Sequence, residues 1–167
     1  MTEKREMFKR HKMRTKEICD VGSIDLDIFQ LEEQHGQVGA LVIVAANVFD
    51  GYNFHDDFNI TKNTFDKCIV NLGMGYLESN PYHNALHAAD VLQMCNLFLQ
   101  QTQITEKAEL EGIHILSFLL SAVIHDIGHP GFNNAFMVAD NDPLAIQYND
   151  RSVLENFHVA EGFRIIT

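Results

Sequence analysis

His125-Asp126-Ile127-Gly128-His129-Pro130-Gly131 follows directly on the run Gly112–Ile124, which is apolar on nearly every side apart from His114, Ser117 and Ser121. A helix that is apolar all round is a buried one. The run therefore reads as a core helix carrying an imidazole and a carboxylate at its C-terminal end, with a second imidazole four residues after the first. Burying such groups costs several kcal/mol unless they are paired or bound to something. Pro130 disfavours helical geometry at His129, and Gly131 supplies the positive φ of a tight turn, so the helix stops there. A metal ion is the simplest account of a polar cluster held at that point.

Working outward, the long core helix is expected to be capped by Thr105. Upstream of it, Asn80-Pro81 is a good helix start, with asparagine as N-cap and proline at the first helical position. That helix is expected to run to about Gln100. Before it, Phe65, Cys68, Ile69, Leu72 and Tyr76 have three-and-four spacing on a helix over residues 64–77, capped by Thr61 or Asn63. Residues 41–49, led into by Gly36 and Gly39 and ended by Asp50-Gly51, are rich in β-branched side chains. They are long for a strand and lie among helical neighbours, so a helix is preferred. Residues 25–29 form a short ordered segment with Ser23 as candidate cap.

Downstream, a short helical piece is expected around residues 136–139, and Asp142-Pro143 opens another. Ser152-Val153-Leu154-Glu155 is a capping-box pattern that starts a last helix. That helix is still amphipathic at Ile165-Ile166, which reads as a truncation within a domain. Almost nothing alternates with period two, so the fold class is all-α.

The totals narrow the function. A chain of 167 residues with 46% hydrophobic content supports one real core. Residues 1–17 carry seven Lys/Arg against three Asp/Glu, and the rest carry five against twenty, a net of −15. An acidic body argues against a nucleic-acid groove, because phosphate contacts come from Lys and Arg. Residues 1–22 read as a basic leader or linker (Lys4, Arg5, Lys9, Arg10, Lys12, Arg14, Lys16), and residues 23–167 as the domain. Cys19, Cys68 and Cys95, odd in number and without CxxC spacing, suggest reduced thiols and a cytoplasmic location. No signal peptide or transmembrane run is visible.

Two segments carry most of the histidines. If Tyr82-His83-Asn84-Ala85-Leu86-His87-Ala88-Ala89-Asp90 is helical, His87 lies about 40° round from His83 and Asp90 about 20° the other way, on one face. His125, Asp126 and His129 come from the second segment. Histidine with carboxylate suits Zn²⁺, Mn²⁺, Fe²⁺ or Mg²⁺, and a bridging carboxylate can feed two ions. Each residue has a plainer reading. His55, His114 and His158 are taken as satisfied core or surface residues. Glu155 stands where it would bond back to its helix cap, and Asp90 could orient a ligand histidine without touching metal. Asn133 and Asn134 could simply satisfy the turn after Pro-Gly.

Tyr82-His83-Asn84-x-x-His87-Ala88-x-Asp90-Val91, then His125-Asp126-x-x-His129-Pro130-Gly131-x-x-Asn134-x-Phe136, then Tyr148-Asn149-Asp150-x-Ser152-Val153-Leu154-Glu155-Asn156, closely resemble the class I 3′,5′-cyclic nucleotide phosphodiesterases. These are HD-type metal phosphohydrolases. The likeness extends over about residues 24–167, roughly the N-terminal half of the family's all-helical catalytic domain. It implies hydrolysis of cyclic AMP, cyclic GMP or both to 5′-nucleoside monophosphates, in signal transduction. His87, His125 and Asp126 would hold the tighter ion, usually zinc, and Asp126 would bridge to a second, usually magnesium or manganese. His83 would be the general acid, held by Glu155. Tyr82 and Asn134 would meet substrate, and His129 would sit with Asn134 and Asp90 just outside the direct ligands.

The resemblance also implies what this chain does not supply: a further aspartate ligand, the purine-reading glutamine and its aromatic clamp, all expected far downstream. The 167 residues alone are accordingly expected to be a poor enzyme. Two other readings stand beside this one. A different HD-type phosphohydrolase would share the His-Asp pair but need not carry Tyr-His-Asn-x-x-His. A catalytically silent module would bind metal, nucleotide or a partner without turnover. A zinc protease is disfavoured by the lack of HExxH.

Overall fold

A computed structural model describes residues 19–167, so the expectations for the basic leader before Cys19 lie outside the described residues. Nine helices and no strand occur among the described residues: α1 Ile28–Asp50, α2 Phe54–Asp57, α3 Lys62–Gly73, α4 Ala85–Gln101, α5 Ile104–Lys107, α6 Gly112–Ile124, α7 Asn134–Ala139, α8 Pro143–Gln147 and α9 Val153–Ile166. The fold class is all-α, as its periodicities imply.

The scaffold is α1 laid along α4, with α6 also packed on α4 and α3 packed on α1. Residues 41–49 are helical despite their β-branched content, and nearly every side chain there is fully buried. Burying each Leu, Ile or Val stabilises the fold by about 1.5–3 kcal/mol. Helix α1 bends at Gly36 (φ 72°, ψ 168°). Its cap is Asp27, whose carboxylate accepts from the Gln30 N–H, and not Ser23, which accepts from the Asp25 N–H. Thr61 caps α3 as expected, but α3 stops at Gly73, and Tyr76 lies in the turn beyond.

Three expectations about helix starts are corrected. Asn80 does not cap α4. It organises a turn, and Asn84 caps the helix by accepting from the Leu86 and His87 N–H groups. His83 is therefore ahead of the helix and does not share its face. Thr105 belongs to the separate short α5. Helix α6 begins at Gly112, where His114 Nδ1 accepts from the Glu111 N–H. Ser152 does not form a capping box: its backbone is left-handed (φ 42°), and its hydroxyl makes no cap hydrogen bond. Asn134 takes that place, its Oδ1 accepting from the Leu154 N–H.

Helix α6 also differs from a helix buried all round. Leu119, Ala122, Val123 and Ile124 are buried, but Ile113 is 47% and Phe118 41% exposed, because no described element covers that face. The end that matters is the buried one. Tyr76 Oη donates to the Val123 carbonyl at 2.8 Å, and burial pushes its phenol pKa up. A smaller core of Met137, Ala145, Val153 and Leu154 holds α7, α8 and the start of α9 together.

Candidate metal centre

The last buried turn of α6 delivers His125 and Asp126, and the chain then tightens around them. The Ile127 N–H donates to the Ile124 carbonyl and the His129 N–H to the Asp126 carbonyl. Gly128 takes a φ of +70°, with a Phe157 ring atom only 3.1 Å from where a Cβ would sit. Asn80, 7% exposed, ties the other segment to this turn. Its Nδ2 donates to the His129 carbonyl, while its Oδ1 accepts from the Tyr82 and His83 N–H groups. One buried amide thus fixes His83 relative to His129.

The outcome is a belt of rings. Tyr82 lies over His87 (centroids 4.6 Å), and His87 meets His125 edge-on at 5.1 Å. His83 is stacked on His129 at 3.9 Å, and His129 lies 5.3 Å from His158. The fold brings His83, His87, His125, Asp126 and His129 together, but His83 arrives from the turn before α4, held by Asn80 and His129, and not by helical spacing from His87.

Two ligand-competent groups occur among the described residues: His87 with His125 and Asp126, and Asp126 with His129 and His158. In the first, His87 Nε2 lies 3.3 Å from His125 Nε2 and 3.4 Å from Asp126 Oδ2, and His125 Nε2 is 3.1 Å from that same oxygen. A tetrahedral ion with bonds of about 2.0–2.2 Å sets its ligand atoms about 3.3–3.6 Å apart, so this triangle is close to the right size before any ion enters. His125 Nδ1 lies 2.9 Å from the Ala122 carbonyl, to which it must donate, leaving Nε2 to face the site. The residues present fit a divalent cation with nitrogen and oxygen ligands.

Electrostatics agree. Burial opposes ionisation of Asp126, but the hydrogen bond and charge of His125, with His83 and His158 beyond it, outweigh that and hold the carboxyl at about 2. Burial likewise disfavours the His125 imidazolium, but the Asp126 carboxylate and the Ala122 carbonyl outweigh it and raise its pKa. Burial and the neighbouring His125 lower that of His87. In the metal-free chain Asp126 thus favours a proton on His125 Nε2, facing His87 Nε2 and Asp126 Oδ2 where a cation would bind.

Beyond the triangle, His83, Phe132, Asn134 and Glu155 line an open cleft of about 400 Å³. The Glu155 carboxylate accepts from Asn134 Nδ2 at 3.0 and 3.3 Å, which lowers its pKa. Asn134 is thus occupied at both ends, capping α9 and holding Glu155. Tyr82, 61% exposed, and Asp90 border a second, mostly apolar pocket of about 180 Å³ with Ile28 and Phe29. The Asp90 charge acts on His87 across it.

His158 is the residue that sequence reasoning passed over. It is 3% exposed, and its Nε2 is 3.8 Å from Asp126 Oδ1. Its one available signal is its position three residues after Glu155, on the same face of a helix.

Comparison with known proteins agrees with the geometry. The family model described as 3′5′-cyclic nucleotide phosphodiesterase matches residues 82–167, a span that begins at Tyr82 and contains every residue of both groups. The chain is 36% identical over 142 residues to 3′,5′-cyclic-AMP phosphodiesterase 4 of Dictyostelium discoideum, a match covering 85% of this chain and 13% of that protein. It is 36% identical over 152 residues to the probable 3′,5′-cyclic phosphodiesterase pde-1 of Caenorhabditis elegans, covering 90% and 22%. With 3′,5′-cyclic-AMP phosphodiesterase 4C of Rattus norvegicus, identity is 34% over 151 residues, covering 90% and 28%. The chain therefore spans less than a third of the length of these relatives.

Proposed function

Because the chain belongs to the 3′,5′-cyclic nucleotide phosphodiesterase family, we propose that it carries the metal-binding and acid-catalytic part of an enzyme hydrolysing 3′,5′-cyclic nucleotides to 5′-monophosphates. The observation that carries this reading is the triangle of His87 Nε2, His125 Nε2 and Asp126 Oδ2, with edges of 3.1 to 3.4 Å. These residues would hold one divalent cation, zinc by the donor set, and Asp126 would also serve a second, magnesium or manganese. When bound, the cations supply a nucleophile at neutral pH and offset charge on the phosphoryl oxygens.

The chain's own side chains do the rest. His83 protonates the departing 3′ oxygen, a contribution typically worth about 10²–10⁴-fold. Its ring is held against His129 by stacking, and its backbone by Asn80. Asn134 and Glu155 line, with His83, the cleft that receives the cyclic phosphate; Asn134 holds the Glu155 carboxylate, and Tyr82 lines the second pocket beside His87. His129 and Asp90 support the ligands without holding metal. The substrate is cyclic AMP, cyclic GMP or both. No helix among the described residues is long and apolar enough to cross a membrane.

The test is hydrolysis of cyclic AMP and cyclic GMP by the 167 residues alone and by a chain extended by a further ~150–200 residues, before and after chelation. Turnover by the extended chain, abolished by chelator and restored by zinc with magnesium, and little turnover by the 167 residues alone are expected. A zinc-containing protein that binds cyclic nucleotide and leaves it intact would favour a silent module instead.

A further inference from the structure

We propose that Tyr76 is a positioning residue for the metal centre: its hydroxyl, set into the last turn of α6, stops the helix where the Asp126 carboxylate faces His87 and His125. This rests on the reading of His87, His125 and Asp126 as cation ligands. In a continuing helix the Val123 carbonyl would accept from the Ile127 N–H, and the Ala122 carbonyl from the Asp126 N–H. Here the Val123 carbonyl accepts from Tyr76 Oη at 2.8 Å, and the Ile127 N–H turns to the Ile124 carbonyl, one residue closer. The Ala122 carbonyl accepts from His125 Nδ1, and the Asp126 amide hydrogen-bonds to the Tyr76 phenol oxygen. One buried hydroxyl thus donates and accepts across the break in the ladder. A side chain inserted between such partners is a known cause of sharp bends in helices. The bend falls between residues 123 and 127, and both ligands that α6 delivers lie inside it.

The residue before Tyr76 is shaped for the same contact. A Cβ on Gly75 would stand 2.6 Å from Ile127 Cδ1 and 2.9 Å from Ile127 Cγ1, so its absence leaves room for the buried Ile127 side chain to seat there. The Gly75 carbonyl oxygen in turn lies 3.9 Å from the point where a Cβ on Gly128 would sit. Gly75 and Tyr76 therefore brace the chain at residues 123, 127 and 128, on both sides of His125 and Asp126. Tyr76 belongs to neither ligand-competent group and lines neither the cleft nor the apolar pocket, so its hydroxyl acts through the backbone of Asp126. Groups that hold ligands from behind are typically worth about 10–100-fold in metal affinity.

Tyr76→Phe keeps the ring and removes the hydroxyl. Zinc affinity of the purified protein is measured by competition with a chromophoric chelator, and the cadmium-loaded protein is followed by its ¹¹³Cd resonance. Tyr52→Phe is the control: it removes another phenol hydrogen bond, from Tyr52 Oη to Asn96 Oδ1 at 3.0 Å, on a residue outside both ligand groups. Tyr76→Phe should bind zinc about 10–100-fold more weakly and move the ¹¹³Cd resonance, while Tyr52→Phe stays within about threefold of wild type with the resonance in place. Wild-type zinc affinity in Tyr76→Phe overturns the proposal. Equal weakening in Tyr52→Phe also overturns it, because the effect would then be a general loss of stability. A second measurement needs no variant: the Tyr76 hydroxyl proton of the wild type should give a nuclear Overhauser contact to the Asp126 amide proton, with and without zinc, and its absence overturns the proposal. If the wild type takes no zinc, the cation reading itself fails and this one with it, which the wild-type titration alone reveals.

Discussion

His83 lies flat on His129, ring centroids 3.9 Å apart and planes within 8°. The contact joins the turn before α4 to the turn after α6, and Asn80 repeats the link through the backbone. His83 is thereby fixed beside the cation site without being one of the residues in the triangle.

That separation can be tested by mutation. His83→Ala should lower kcat by about 10²–10⁴-fold while zinc content, measured by elemental analysis, stays at the wild-type level. His125→Ala should lose both activity and zinc. Zinc lost from His83→Ala would mean that the two turns do not divide the labour as proposed.

A proton and zinc compete for the same site. The pKa of His125 is raised and that of His87 lowered, so of the two rings His125 holds its extra proton to the higher pH. Below the raised pKa of His125, zinc binding should release about one proton, read by calorimetry in buffers of different ionisation enthalpy. Affinity should fall as pH drops through the raised pKa of His125. The stability linkage of the metal-free chain has matching signs. The His125 contribution is fully present below its unfolded pKa and is lost as pH rises through the raised folded value. The Asp126 contribution is present above its unfolded pKa and is lost as pH falls through about 2. Zinc binding without proton release below the raised pKa of His125 contradicts this assignment.

Asn134 carries the start of α9. Asn134→Ala leaves the Leu154 N–H without its acceptor and Glu155 without its donor. Loss of a helix cap costs about 0.5–2 kcal/mol, to be read from chemical denaturation of the metal-free protein. An unchanged midpoint would show that the cap is dispensable.

Gly128 is required by conformation and by space. At φ +70°, and with a Phe157 ring atom 3.1 Å from the point a methyl group would occupy, Gly128→Ala should destabilise by about 1–3 kcal/mol. Because the strain falls between Asp126 and His129, weaker zinc binding should accompany it. A variant as stable as wild type, with full zinc affinity, would contradict the role given to this turn.

Much of this was legible in the chain. The three-and-four spacing of Phe65, Ile69 and Leu72 and the unbroken apolar run through Leu41 and Phe49 fix an all-helical core. His87, His125 and Asp126 stand out because charged and imidazole groups beside such a core need a partner. What failed was the detail of helix ends. Asn80-Pro81 satisfies every local criterion for a helix start, yet Asn80 spends its side chain on the distant His129 carbonyl, and no local rule contains that partner. Ser152 likewise lost its cap to Asn134, eighteen positions earlier in the chain, because the turn from Asn149 to Ser152 runs through left-handed backbone. His158 was hidden for the same reason: its meaning comes from the Ile127 carbonyl and Asp126 Oδ1, both brought to it by tertiary structure.

The central claim is that His87, His125 and Asp126 share one divalent ion, and X-ray absorption at the zinc edge tests it most directly. Protein with one equivalent of zinc should show two imidazole ligands with Zn–N near about 2.0–2.1 Å, falling to one in His87→Ala or in His125→Ala. A wild-type spectrum without imidazole scattering, or one unchanged by both substitutions, would contradict the claim.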